Sequence, residues 1–373
     1  MSRDEIYLEL CRAVKDAPFY VFGDEDQLKH AHFPNAYRLL IGFVPQLEAL
    51  VRMCNADGAG VSDYEKFEEI CSAFPMLVCS TAHSAVRELL SRLFDCNLSL
   101  NKENAPKIWS ACCGDGFGIG GREIMDALNV KCIPVCQISN IKDKAQDTNG
   151  LSELCREACS NISSAGGLLS VSLPDGFEFA KPSVYGVDAV LAKLNGGAEI
   201  SACDRNMLAV QILRSLMPEM QECKMPVLLY ANADRNTDAL IKYLNDSVGL
   251  ADILFVAKDS TAELKRFIYA LPPELLVHVL PAGAEEASAE DALRGYMRVF
   301  PIENLPHLGF LSDENGFANV AEQCALRRSL CMLLADAVLG EDEIQRARVT
   351  ARRVCFGNIS DIAKARSGFE IGQ

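Results

Sequence analysis

Two hydrophobic patterns divide the chain. In the later part, short continuous apolar runs alternate with longer stretches whose apolar residues recur every three or four positions. The runs at 130–135, 167–173, 226–231, 252–257, 275–280 and 308–312 predict strands. The stretches at 151–162, 206–223, 238–244, 262–270, 289–300, 318–334 and 342–356 predict helices. Strands that are apolar throughout, each followed by a helix, belong in a parallel sheet covered on its faces. The alternation persists to the end of the chain, which favours a (β/α)8 barrel over an open sheet.

The early part reads differently. Residues 4–15 predict a helix, 18–22 a short strand, and Gly23-Asp24-Glu25-Asp26 an acidic turn. From 33 to 111 the pattern is helical nearly throughout. Tyr37, Leu40, Phe43, Leu47, Leu50 and Val51 recur at helical steps, and 64–74 and 84–94 repeat the theme. Asn101 is a candidate N-cap for a further short helix containing Ile108 and Trp109. The predicted organisation is an N-terminal helix and first barrel strand at 1–30, a helical subdomain inserted at 31–115, and the rest of the barrel at 116–373.

Composition narrows the partners. A net charge of -15 argues against nucleic acid as a partner, since binding phosphates needs a basic stripe. A local basic pocket could still override that field for an anionic substrate. No apolar run approaches the roughly 20 residues of a membrane span, and the polar start MSRDE is unlike a secretory leader, so a cytoplasmic location is expected. The 16 cysteines are scattered through apolar segments, which predicts reduced, buried thiols rather than a disulfide framework. Cys132/Cys136 and Cys155/Cys159 lack the spacing of a zinc site.

The run HLGFLSD at 307–313 predicts a buried strand with Asp313 at its C-terminal end, where barrel enzymes place their chemistry. Asp313 is therefore a candidate catalytic carboxylate, with Glu25 a second. An all-oxygen site built from Asp24, Glu25 and Asp313 would suit magnesium, calcium or manganese; otherwise no cofactor is expected. The bland alternatives are a solvated turn for Asp24 and a helix N-terminal carboxylate for Asp313. His30-Ala31-His32 has the form of a metal motif, but no apolar strand leads into it, and solvent-facing histidines are the better reading. His278 lies inside an apolar strand, as a core or barrel-lining residue. Gly116, Gly118 and Gly121 show G-x-G-x-x-G spacing, yet a helix precedes them, so the stretch reads as a flexible connector and not a dinucleotide loop.

Several motifs resemble the uronate isomerases in order. They include Phe33, Asn35 and Tyr37; SDYEKF at 62–67; Phe74-Pro75; NKENA at 101–105 with Ile108-Trp109; SVSLP at 170–174; and GFLSD at 309–313 with Arg327-Arg328. The resemblance covers nearly the whole chain. It implies an amidohydrolase-like barrel, aldose–ketose isomerisation of a hexuronate such as glucuronate or galacturonate, and a divalent metal held by three histidines and an aspartate. On that alignment Asp313 is the one surviving ligand. Gly23 and Glu25 stand at the paired-histidine positions and Leu228 at the third. Glu314 replaces the arginine after the aspartate and would repel a uronate carboxylate, and the loop at 281–284 lacks the family's tryptophan pair. Between 136 and 167 there is room for one crossover, where the family has a further β/α unit, so one unit is expected to be missing and the barrel to be incomplete or patched by a loop at 137–150. The expected outcome is reduced or lost isomerase activity; the alternative is a non-catalytic sugar-acid-binding or homo-oligomer-forming homologue.

Overall fold

A computed structural model of the protein describes residues 1–53, 60–77, 81–113, 118–137, 145–173, 178, 182–223, 227–231, 253–257, 277–281, 289–297, 301–305 and 316–361. The chain forms two compact units. The first comprises Met1–Cys132, Gly283–Arg294 and His307–Gly357, the second Ile133–Ala282, Gly295–Pro306 and Asn358–Gln373.

The first unit opens with helix α1 (Arg3–Val14), started by a Ser2–Glu5 capping box, and strand β1 (Phe19–Phe22). Helix α2 (Glu25–His30) and the two-residue strand β2 (His32–Phe33) follow. Next come α3 (Ala36–Phe43), α4 (Gln46–Met53), α5 (Asp63–Ala73), α6 (Thr81–Phe94) and α7 (Ala105–Cys113). The antiparallel partner of β2 is β3 (Ile119–Gly120), which leads into α8 (Gly121–Leu128) and β4 (Val130–Ile133), the neighbour of β1. Two late helices, α13 (Gly316–Ala337) and α14 (Glu341–Arg352), complete the unit. The core gathers Phe19, Tyr37, Phe43, Phe67, Ile108, Ile124 and Phe317. Rings of Phe33, Phe43 and Phe317 meet at 5.0–6.1 Å between centroids.

The second unit holds a five-stranded sheet in the order β5 (Val135–Gln137), β6 (Leu168–Ser172), β7 (Val227–Ala231), β8 (Ile253–Ala257) and β9 (Val277–Pro281), parallel throughout. Helices α9 (Thr148–Ser164), α10 (Val184–Asn195) and α11 (Ala202–Cys223) carry its described crossovers. Leu151, Cys155, Val187, Val190, Leu213 and Leu216 from these helices bury Leu169, Val171, Val227 and Leu229 of the sheet. A further described α-helix is α12 (Ala289–Met297), whose residues up to Arg294 belong to the first unit.

Several expectations are corrected. The apolar run at 130–135 is two strands, because Pro134 has no N–H to donate to a ladder and separates β4 from β5. The acidic turn at 23–26 is the start of α2. Two helices lie outside the predicted elements: α8, closed by Asn129 in the left-handed conformation, and α10, capped by the Ser183 side chain. The glycine connector is tightly held over its described part: Gly118 lies at φ +72°, where an added Cβ would come 2.2 Å from the Phe33 carbonyl oxygen, and one on Gly121 would come 1.8 Å from that of Leu28. The predicted strand at 308–312 and the helices at 238–244 and 262–270 lie outside the described residues.

Gly118→Ala combines a left-handed φ with a backbone clash. It is expected to destabilise the protein by about 3 kcal/mol, measured as a shift in urea midpoint at unchanged m-value.

Candidate functional site

The carboxyl end of β1 is where the resemblance puts two histidines. Gly23 takes φ +152°, a conformation L side chains rarely adopt, and has no donor atom. Asp24 is the N-cap of α2: its Oδ1 accepts from the Asp26 N–H at 2.9 Å. Glu25 accepts an ion pair from Lys29 one turn on, at 2.8 Å, and that bond holds the lysine ammonium above its ordinary range. Both carboxylates are exposed and locally engaged. His30 and His32 are also exposed, with His30 Nδ1 2.7 Å from the Asp26 carbonyl oxygen.

The third histidine position, Leu228, is 1 % exposed in the middle of β7. Its neighbours Val227 and Leu229 face the helices, so strand alternation assigns Leu228 to the opposite face. Register runs a row across all five strands: Gln137, Ser170, Leu228, Leu254 and His278. Ser170 in that row is buried. His278, expected as a core or barrel-lining residue, falls by pairing register in the row of Leu228. Asp313 and His307 lie outside the described residues.

These donors do not fit a histidine-held metal. Gly23 and Leu228 offer no ligand atom, and Asp24 and Glu25 are engaged elsewhere. Among the described residues no group of three or more His, Cys, Asp or Glu could hold an ion.

The opposite end of β1 carries a different feature. A cavity of about 410 Å³ opens beside α1, α6 and α13, lined by Arg12, Lys15, Arg87, Arg92, Arg327 and Arg328 against one acid, Glu88. Glu88 accepts ion pairs from Arg92 at 2.7 Å and from Arg328. Burial pushes the Glu88 carboxyl up, but the Arg92 hydrogen bond and the charges of Arg328 and Arg92 outweigh it and hold it below the usual range. Arg327 is buried, its guanidinium 3.8 Å from the Phe19 ring centre and bonded to the carbonyl oxygens of Ala17 (2.8 Å) and Pro18. Sequence reading missed this cluster, because its members come from three distant segments.

By comparison with solved structures the chain has a TIM-like α/β fold. The chain superposes on a uronate isomerase from Thermotoga maritima with a TM-score of 0.75 and 14 % identity, over 96 % of this chain and 97 % of that one. It superposes on a glucuronate isomerase from Caulobacter crescentus with a TM-score of 0.72 and 15 % identity, over 98 % and 95 %. No protein-family model matches the chain, and no curated protein sequence does. No described helix is long and apolar enough to cross a membrane.

Asp24→Ala is expected to cost about 1 kcal/mol of stability through loss of the α2 cap, read in a denaturant titration. Glu25→Gln should leave the melting temperature unchanged, since the carboxylate is exposed and pairs with a half-exposed lysine. The depressed Glu88 carboxyl contributes stability above its unfolded pKa of about 4.3 that is lost as pH falls through the folded value. Glu88→Gln should therefore melt lower than the parent at pH 7, with the gap closing toward about pH 3.

Proposed function

We propose that this protein is a uronate-isomerase homologue in which the histidine-dependent isomerisation of hexuronates is reduced or lost. The observation that carries this is at the carboxyl end of β1. The two positions matched to metal histidines are a glycine in a conformation histidine adopts only with strain and a glutamate paired to Lys29. Whole-length similarity to two uronate isomerases supports the relationship, and the filling of the Leu228 position by a buried aliphatic side chain supports the loss. Asp313 alone would leave a metal short of the three protein ligands such sites take.

The same reading treats 31–115 as a helical subdomain inserted after the first strand and the barrel as short of one β/α unit. Direct hydrogen-bonded pairing of β5 with β6, with α9 between them in sequence, supports the shortened crossover. A second reading, binding of a sugar acid without turnover, is favoured by buried Ser170, whose register partner on β7 is Leu228. A hydroxyl among aliphatic positions is a group that recognises sugar hydroxyls without a metal. On either reading the protein works inside the cell as a homo-oligomer.

Purified protein should contain no stoichiometric divalent metal. It should not interconvert glucuronate or galacturonate with their keto forms when zinc, manganese or magnesium is added, and Asp313→Asn should change nothing. Metal-dependent turnover abolished by Asp313→Asn would overturn the proposal. Saturable glucuronate binding without turnover, seen by calorimetry and weakened by Ser170→Ala, would select the second reading.

A further inference from the structure

The basic cavity at the amino end of β1 contains a chemical group the proposed function does not use. Cys11 of α1 and Cys331 of α13 both line it. The two thiols and the Tyr7 hydroxyl share one wall of the cavity, where α1 packs on α13, close enough to influence one another's ionisation. Cys11 is half-buried and so reachable from the cavity, while Cys331 is buried behind it. We propose that Cys11 and Cys331 form an oxidisable dithiol, with Cys11 the thiol attacked first by a small hydroperoxide and Cys331 the thiol that resolves it into a disulfide.

The surroundings divide the two roles. Reactive cysteines need a partly exposed, electropositive setting, because the thiolate is the nucleophile. The groups facing Cys11 are Tyr7 on its own helix, Cys331 and Arg328 on α13, Glu88 on α6, and Cys355. The Cys331 thiol does most to hold the Cys11 thiol below the ordinary range. Burial opposes it, and the Tyr7 hydroxyl and the Arg328 charge assist. The Cys11 thiol, with burial, pushes Cys331 up. Glu88 is the opposing charge, and its two arginine partners largely offset it. Other buried cysteines lack this asymmetry: burial alone raises Cys155, to about 12.

The step balances as follows. Cys11 thiolate attacks one peroxide oxygen and the O–O bond breaks. Cys11 becomes a sulfenic acid, and the departing hydroxide takes a proton to become water. Cys331, losing its proton, attacks the Cys11 sulfur. The S–O bond breaks and a second water leaves. Two thiols are oxidised by two electrons and one peroxide is reduced.

The test treats the intact protein with one equivalent of hydrogen peroxide, blocks the remaining thiols with iodoacetamide, and maps peptides without reduction. The expected product is one peptide pair linking Cys11 to Cys331, reversed by dithiothreitol. At pH 7 in the untreated protein, iodoacetamide should label Cys11 on the order of tenfold faster than a thiol ionising at about 8.5. In Cys331→Ser, dimedone should trap a Cys11 sulfenic acid that the parent does not accumulate. A parent in which the oxidising equivalents land on exposed Cys203 while Cys11 stays free would overturn the proposal. So would a Cys11 sulfenic acid equally long-lived with and without Cys331. The parent mapping stands even if a variant fails to fold.

Discussion

Helix α13 meets strand β1 through hydrogen bonds to backbone carbonyls, and the first unit is arranged around that contact. Buried Gln323 donates from Nε2 to the Tyr20 carbonyl oxygen at 2.7 Å, and Arg327, one turn on, donates to those of Ala17 and Pro18. These carbonyls lie at or just before β1, where no helix or ladder is guaranteed to use them. Burying a guanidinium without a carboxylate is costly, and desolvation lowers the Arg327 pKa accordingly. The cost is partly offset by two carbonyl acceptors and the face of the Phe19 ring, which together fix α13 against β1, while the buried Nε has no hydrogen-bond partner among the described residues. Apolar side chains then close every side of α13, from Phe317 and Val320 through Leu330 to Leu334.

That contact explains why the two ends of β1 differ so much. Its amino end is held by arginine and lined by more, giving a basic cavity in a chain of net charge -15. Its carboxyl end runs into Gly23 and a helix capped by its own aspartate. Barrel chemistry belongs at the carboxyl end. Here that end is organised for local structure, while the concentrated charge sits at the other.

The readable part of the sequence was the part governed by local physics. Continuous apolar runs located β1, β4 and β6 to β9 within about two residues, since a strand buried on both faces tolerates little else. Helix α10 escaped because its buried residues, Val187, Val190 and Leu191, are few beside the exposed Val184 and Tyr185. The break at Pro134 was overlooked because the apolar run continues through it. The basic cavity and the row through Leu228 and His278 were not legible, because each joins segments far apart in the chain through tertiary pairing.

The motifs that most resembled uronate isomerases turn out to be architectural. In SDYEKF, Ser62 and Glu65 form a capping box, Asp63 accepts hydrogen bonds from Asn35 and Arg38, and Phe67 and Tyr64 pack on Trp109. Arg327 fixes a strand, and Asn101 opens the turn before α7. None of these groups needs a metal. Each is held by packing or hydrogen bonds that persist whatever stands at positions 23, 25 and 228. The elements that carry these residues are therefore secured independently of positions 23, 25 and 228, where a glycine at positive φ, a glutamate paired to Lys29 and a buried leucine stand. Any side chain at position 23 would be strained by that backbone angle, and Asp24 beside it caps the helix that follows.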